Sequence, residues 1–283
     1  MLNLFRKKKI VHNPSKIILD DKQLNELKRH TWQGSEAAKY YHDTVERQFF
    51  NNVTAKYFLE YISKEDKVLD VGAGDGRLSF AIAEQGNEVT SLDISQALLD
   101  LIEEHKQDLN ITTIHADGEK LPFDNDIFDK VVSLDCVFHF TNWKDFVKEQ
   151  IRVVKPNGLI LFNMYNSDNL KKVDKDLTPI KIIKNFMANS NKIIHTGKEE
   201  LLEFCNENNL ELIKLQPYNF FAGSGAFSHA LTGEECVQFR ELYYKLLKSS
   251  EVCDIISKIE KEIIKNLDAD KCANMIVILR KKS

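Results

Sequence analysis

The stretch that decides the fold is "VLDVGAGDGRLSFAIAEQG", Val68 to Gly86. Its apolar start reads as a buried strand, and its end has the apolar spacing of a helix. Between them Gly72, Gly74 and Gly76 fall within five positions. Such a turn lets backbone N–H groups approach a ligand without Cβ atoms in the way. A dinucleotide-binding turn would read GxGxxG, with pyrophosphate seated on the helix N-terminus. This turn reads GxGxG, Arg77 stands at the next position, and two acids, Asp70 and Asp75, flank it. Carboxylates there repel a diphosphate and attract a cationic ligand.

Outward from this turn the chain repeats the strand-then-helix rhythm. "KVLDV" (67–71), "EVTSLDI" (88–94), "ITTIHAD" (111–117), "FDKVVSLD" (128–135) and "GLILFNMY" (158–165) read as five buried strands. The helices among them are "GRLSFAIAEQG", "SQALLDLIEEHKQ" with Ser95 as N-cap, and "NWKDFVKEQIRVV". Largely apolar strands alternating with helices predict an α/β fold, a doubly wound parallel sheet covered on both faces. Later, "TGKEELLEFCNENN" reads as a helix capped by Thr196, "LELIKLQPYNFF" as a strand, "TGEECVQFRELYYKLLKSSEVCDIISKIEKEIIKNL" as helix and "ANMIVILRK" (273–281) as a last strand.

Residues 1–65 read as an N-terminal helical cap, including a long helix from a Ser35 N-cap. On it Tyr41, Val45, Phe49, Val53 and Tyr57 recur every fourth residue. The main domain then runs over 66–283, with a Lys-rich, lid-like insertion at 166–195 and a helical insertion at 232–267. The first insertion is too long for an ordinary connection.

Composition narrows the partners. The net charge is −4, and the short basic clusters Arg6–Lys9 and Arg280–Lys282 lie at the ends, so a nucleic-acid-binding surface is not expected. No apolar run reaches membrane-spanning length, and no apolar region follows the basic N-terminus; a cytosolic protein without membrane association is expected. The five cysteines, Cys136, Cys205, Cys236, Cys253 and Cys272, form no CxxC pair. Neither a metal site nor a disulfide framework is expected.

Further acids stand where strands end, the ligand edge of such a sheet. Asp93 closes the second strand and can accept hydrogen bonds from ribose hydroxyls, a geometry that serves NAD equally well. Asp117 with Gly118, in "HADGEKLPF", pairs an acceptor with an amide donor, which can read an adenine edge. Each has a plainer reading: a strand-to-helix turn for the glycines, an N-cap for Asp93, a turn for Asp117.

Taken in order, "VLDVGAGDG", the Asp93 strand end, "ADGEKLPF", "FDKVVSLDCVFHF" and "IRVVKPNGLILF" resemble the successive motifs of the class I S-adenosylmethionine-dependent methyltransferases. The similarity is greatest to the branch with ubiquinone/menaquinone-biosynthesis-like and other small-molecule enzymes. It covers residues 60–165 closely and the late strands loosely. The resemblance implies a Rossmann-like, seven-stranded sheet with the last strand antiparallel between the fifth and sixth. It implies that Gly72 and Gly74 line the cofactor's methionine end with Asp70 near it, that Asp93 takes the ribose hydroxyls, that Asp117 and Gly118 take the adenine, and that Gly76 and Ile94 also belong to the cofactor site. Asp135 would face the amino group or the methyl-transfer site.

The implied activity is in-line methyl transfer from S-adenosyl-L-methionine, leaving S-adenosyl-L-homocysteine, to an oxygen, nitrogen or carbon of a small molecule. His139, or Asp135 through water, is the candidate base. Tyr40, His139 and Phe221 are candidate acceptor-binding residues; His139 amid apolar neighbours also fits plain packing. No NPPY-like tetrapeptide follows the fourth strand. Two other readings stay open: a nicotinamide-dependent oxidoreductase, and a non-catalytic protein that binds the nucleoside.

Overall fold

A computed structural model describes residues 45–140, 142–168, 195–218, 242–269, 272 and 274–283. The expectations for Ser35, Tyr40 and Tyr41, for most of the 166–195 insertion, for Phe221 and for the start of the 232–267 insertion lie outside the described residues.

The expected sheet is present. Its strands are β1 (Lys67–Val71), β2 (Glu88–Asp93), β3 (Ile111–His115), β4 (Phe128–Ser133), β5 (Val154–Asn166), the two-residue β6 (His195–Thr196), β7 (Leu210–Pro217) and β8 (Asn274–Lys281). They lie in the order β3-β2-β1-β4-β5-β8-β7, with β6 paired to β5. All pairings are parallel except those of β8, which runs antiparallel between β5 and β7. The order reverses at β1, between β2 and β4, which places a crevice at the C-terminal end of β1.

Among the described residues the strands are flanked by helices α1 (Val45–Leu59), α2 (Arg77–Ala83), α3 (Gln96–His105), α4 (Trp143–Val153), α5 (Lys198–Glu207) and α6 (Ser250–Lys265). The strands alternate side chains between two cores. Leu69 and Val71 of β1 join Phe146 and Val147 of α4 and Phe204 of α5 on one face. Val68 joins Phe58 of α1, Leu78 and Ile82 of α2, and Leu99 and Ile102 of α3 on the other. A satellite cluster packs Phe49 and Val53 of α1 against Tyr243, Leu247 and Ile256. The four-residue spacing on α1 thus serves packing for Phe49 and Val53. Among the described residues no helix is long and apolar enough to cross a membrane.

Several boundaries differ from expectation for local reasons. Strand β5 starts four residues early, because the chain leaves α4 directly into the sheet and absorbs "KPNG" as a register shift against β4. Gly158 is required there: a Cβ would lie 2.7 Å from the Asp129 carbonyl oxygen. Gly197, not Thr196, caps α5; Thr196 belongs to β6 and its hydroxyl donates to Glu200 at 2.9 Å. The last long helix starts afresh at Ser249, whose hydroxyl accepts from the Val252 N–H.

Candidate functional site

The turn after β1 is anchored before it meets any ligand. The N–H groups of Gly72 and Ala73 both donate to the Leu92 carbonyl at the end of β2, at 2.8 and 3.0 Å. Gly72 and Gly74 have φ of 74° and 59°, left-handed values that other residues adopt only at a cost. A Cβ on Gly72 would lie 2.3 Å from Cys136 Sγ, so the turn must be bare to sit against the β4 loop. Gly76 has a different task. Its Cβ would meet Ile102 at 2.8 Å and Phe80 at 3.0 Å, which makes it a packing glycine at the start of α2.

Two strand-end carboxylates face each other across this turn. Asp93, 8% exposed, accepts the Gly74 N–H on Oδ2 and the Ser95 N–H on Oδ1, both at 2.8 Å. Ser95 occupies the N-cap of α3, but its hydroxyl makes no capping bond, and the Asp93 carboxylate takes the nearby amide instead. Burial raises the Asp93 carboxyl above its usual range, against the pull of those two amides. Asp135 follows β4 in the left-handed region, φ 55°. Its N–H donates to Asn163 Oδ1 at 2.6 Å, Asn163 Nδ2 donates to its Oδ1 at 2.6 Å, and Arg77 pairs with its Oδ2. Asn163 Nδ2 also donates to the Tyr218 hydroxyl. Crowding by protein acts to raise the Asp135 carboxyl; the Arg77 guanidinium more than cancels this and holds it below the usual range.

Between them lies a cavity of about 940 Å³ counted out to open solvent. Gly72, Gly74, Asp93, Ile94, Asp117, Gly118, Asp135 and His139 all line it. Eight expected residues from four strand ends therefore meet. Asp117 also begins a turn, its Oδ1 accepting the Glu119 N–H at 3.0 Å, so the plain reading and the ligand reading hold together. His139 ends a short 3-10 turn, Val137–His139, with its ring 4.7 Å from that of Phe138.

Asp70 and Gly76 are absent from the lining. Asp70 points beneath the turn, 1% exposed, where the Ser79 hydroxyl donates to it at 2.7 Å and the Ser91 hydroxyl donates to Ser79 at 2.7 Å. Burial pushes its carboxyl up to about 7, with Asp93 adding to the rise. Tyr40 and Phe221 lie outside the described residues. Burial and the nearby Asp93 push the Cys136 thiol well above its usual range, which leaves it a packing residue.

Two residues that hold Asp135 were not foreseen: Arg77 and Asn163. Asn163 did carry a signal, one amide inside the apolar run "GLILFNMY". Arg77 showed only as the residue that broke the dinucleotide pattern.

The donor set fits a nucleoside with a charged amino-acid arm better than a dinucleotide. Among the described lining residues the carboxylates are Asp75, Asp93, Asp117, Glu119 and Asp135, and the one permanent cation is Arg77. A pyrophosphate would meet this field unfavourably. Leu92, Leu98, Leu134, Phe140 and Phe146 supply apolar walls.

Comparison with known proteins agrees. Residues 69–162 match the family model described as a methyltransferase domain. The fold is Rossmann-like, and the matched stretch runs from β1 to β5 and takes in the glycine turn. Among its sequence relatives is a ubiquinone biosynthesis O-methyltransferase of Coxiella burnetii, 31% identical over 159 residues, 54% of this chain and 65% of that protein. The match thus spans just under two thirds of that relative. A solved phospholethanolamine N-methyltransferase 2 of Haemonchus contortus, in complex with phosphomonomethylethanolamine and S-adenosylhomocysteine, shares the fold. Its TM-score is 0.57 at 17% identity, over 94% of this chain and 60% of that one. The [4+2]-cyclase SpnF shares it too, with TM-score 0.53 and 17% identity over 81% and 80%. Fold alone therefore does not set the chemistry.

Proposed function

We propose that the chain is a cytosolic S-adenosylmethionine-dependent methyltransferase acting on a small-molecule acceptor. The observation that carries this reading is the ring of strand-end carboxylates around a left-handed glycine turn, with one guanidinium among them. Asp93 holds the ribose hydroxyls with the lone pairs its two amide bonds leave, and Ile94 packs beside it. Asp117 and the Gly118 amide read the adenine edge. Gly72 and Gly74 let the amino-acid end lie against the backbone, and Asp135 meets its ammonium group. When bound, the sulfonium supplies an electrophilic methyl carbon.

The remaining work is positioning and exclusion of water. Phe140 and the leucines exclude solvent. His139, on the Asp135 side of the cavity, is the group that takes a proton where the acceptor must lose one. Asp135, held ionised by Arg77, acts as a fixed anion rather than a proton acceptor. No covalent enzyme intermediate is needed.

Calorimetric titration with S-adenosylhomocysteine tests the binding, and the expected result is a single saturable site. Incubation with methyl-labelled S-adenosylmethionine and candidate phenols, amines and activated carbon acids tests the turnover. Binding of NADH with no S-adenosylhomocysteine binding would overturn the reading in favour of an oxidoreductase. Binding without any methyl release would reduce it to a nucleoside-binding protein.

A further inference from the structure

Arg152, in the last turn of α4, uses every donor it has. A guanidinium carries five N–H groups in a fixed fork, and here each meets an acceptor. Nε donates to Glu149 Oε1 at 2.9 Å, and Nη2 donates to Glu149 Oε2 at 2.8 Å. Nη2 also donates to the Leu121 carbonyl at 2.9 Å. Nη1 donates to the Phe123 carbonyl at 2.7 Å and to Asn125 Oδ1 at 3.2 Å. Glu149 Oε2 in turn accepts the Leu121 N–H at 2.9 Å. The guanidinium bonded to it holds the Glu149 carboxyl below its usual range. Between them, these two side chains of α4 grip residues 121–125 by backbone and side chain alike.

The gripped stretch begins at the cavity. Leaving β3, the chain places Asp117 and Gly118 in the cavity lining and then crosses to β4 without a helix or strand. The turn it makes there is local: the Glu119 N–H donates to Asp117 Oδ1 and the Lys120 N–H to the Asp117 carbonyl, both at 3.0 Å. Gly118 lies directly on α4, where a Cβ would sit 2.6 Å from Phe146 Cε2. Phe146, Glu149 and Arg152 are spaced by three, so they share one side of the helix. That side carries the chain from Gly118 to Asn125: Phe146 is the floor, and the Glu149–Arg152 pair keeps the chain from lifting off it. Resting on the reading of Asp117 and Gly118 given above, we infer that Arg152, with Glu149, is a positioning residue for recognition of the nucleobase. Neither side chain lines the cavity. They act through the chain they hold, by fixing where the Asp117 carboxylate and the Gly118 amide are presented. Hydrogen bonds weaken steeply as their angles are lost, so a stretch free to shift keeps its charge and loses its selectivity. The role needs a fork: an ammonium offers its donors from one point and cannot span two carbonyls and a carboxylate together.

The test is calorimetric titration of the full chain with S-adenosylhomocysteine and S-inosylhomocysteine. The second compound turns an oxygen toward the Asp117 carboxylate and an N1–H toward the Gly118 amide, so both base contacts reverse while the ribose and amino-acid ends stay the same. The wild type should bind the adenosyl compound about 30-fold more tightly or better. Arg152→Met keeps the apolar stem and removes every donor. It should weaken S-adenosylhomocysteine about tenfold and S-inosylhomocysteine by less than about threefold, so the preference for adenine shrinks. Arg152→Lys should recover part of that preference. Equal weakening of both compounds, or an unchanged preference, makes the pair a support of the fold alone and overturns the inference. Should Arg152→Met not fold, Glu149→Gln reads the same grip: the preference should fall about threefold, and an unchanged one overturns the inference. A wild type that binds neither compound, or binds both alike, fails the reading of the cavity itself and the inference with it. A wild type whose preference for adenine survives in both variants fails the inference alone.

Discussion

Asp93 and Asp135 are both acids at the C-terminal ends of the two parallel strands that flank β1, yet they are held by different means. Asp93 is fastened by backbone amides, Gly74 N–H and Ser95 N–H, from positions 19 and 2 residues away. Asp135 is fastened by side chains, Arg77 and Asn163, from 58 and 28 residues away. A carboxylate held by backbone is part of the turn it braces, and removing it loosens the turn. A carboxylate held by side chains can be altered while the turn stays put. The Asp93 side of the cavity is therefore braced by backbone, and the Asp135 side by side chains.

The severest way to break this contrast is to disturb the backbone of the turn itself. Gly72→Ala places a methyl group on Cys136 at a left-handed backbone position. We expect about 3–5 kcal/mol of lost stability, from backbone strain plus overpacking, with S-adenosylhomocysteine binding lost; urea unfolding and calorimetry read both.

Beneath the same turn, Asp70 sets a pH dependence. Its carboxyl ionises near 3.8 in an unfolded chain and near 7 in the fold. Between those values the folded protein keeps a proton that the unfolded chain has released. Stability therefore falls as pH rises from about 4 to 7 and is level above. Asp70→Asn should abolish that decline and stabilise the protein at pH 8 by up to about 4 kcal/mol. Urea unfolding at pH 5 and pH 8 checks it, and an unchanged slope would mean that Asp70 is ionised in the fold throughout.

A matched pair then measures the contrast directly. Asp93→Asn turns a donor toward amides that need an acceptor, so we expect about 1–3 kcal/mol lost from the fold and a similar loss in cofactor binding. Asp135→Asn keeps the left-handed backbone tolerable and removes only a water-accessible ion pair, so its cost to the fold should be about 1 kcal/mol or less. Equal melting-temperature shifts for the two variants would erase the distinction.

The smallest effect lies off the site and serves as a control. Gln150 on α4 is fully buried, and neither amide atom has a hydrogen-bond partner. Gln150→Met should raise stability by about 1 kcal/mol and leave ligand affinity unchanged on both sides of the cavity.

The two acids also differ in how legible they were. Asp93 could be read because its neighbours in space are near neighbours in sequence, and because strand ends converge in any doubly wound sheet. The same logic found Gly72, Gly74, Asp117 and Gly118. It misplaced Asp70 and Gly76, because a residue beside a ligand turn can point beneath it or into a helix contact, and one-residue steps along a strand reverse faces. Asp135 was located, yet its ionisation was not foreseen, since that depends on a guanidinium and an amide from distant elements.

Apolar periodicity and glycine spacing, taken alone, were enough to mark the strands and helices and to expect a doubly wound sheet with its ligand edge at the strand ends, because these depend on local backbone preference and on which faces must be buried; the antiparallel place of the last strand came from the family resemblance. Only the folded chain decided which carboxyl is buried and raised, which is braced by the turn and which is paired with a guanidinium. Those properties come from desolvation and charge contacts between residues far apart in the chain, and neither has a sequence period to read.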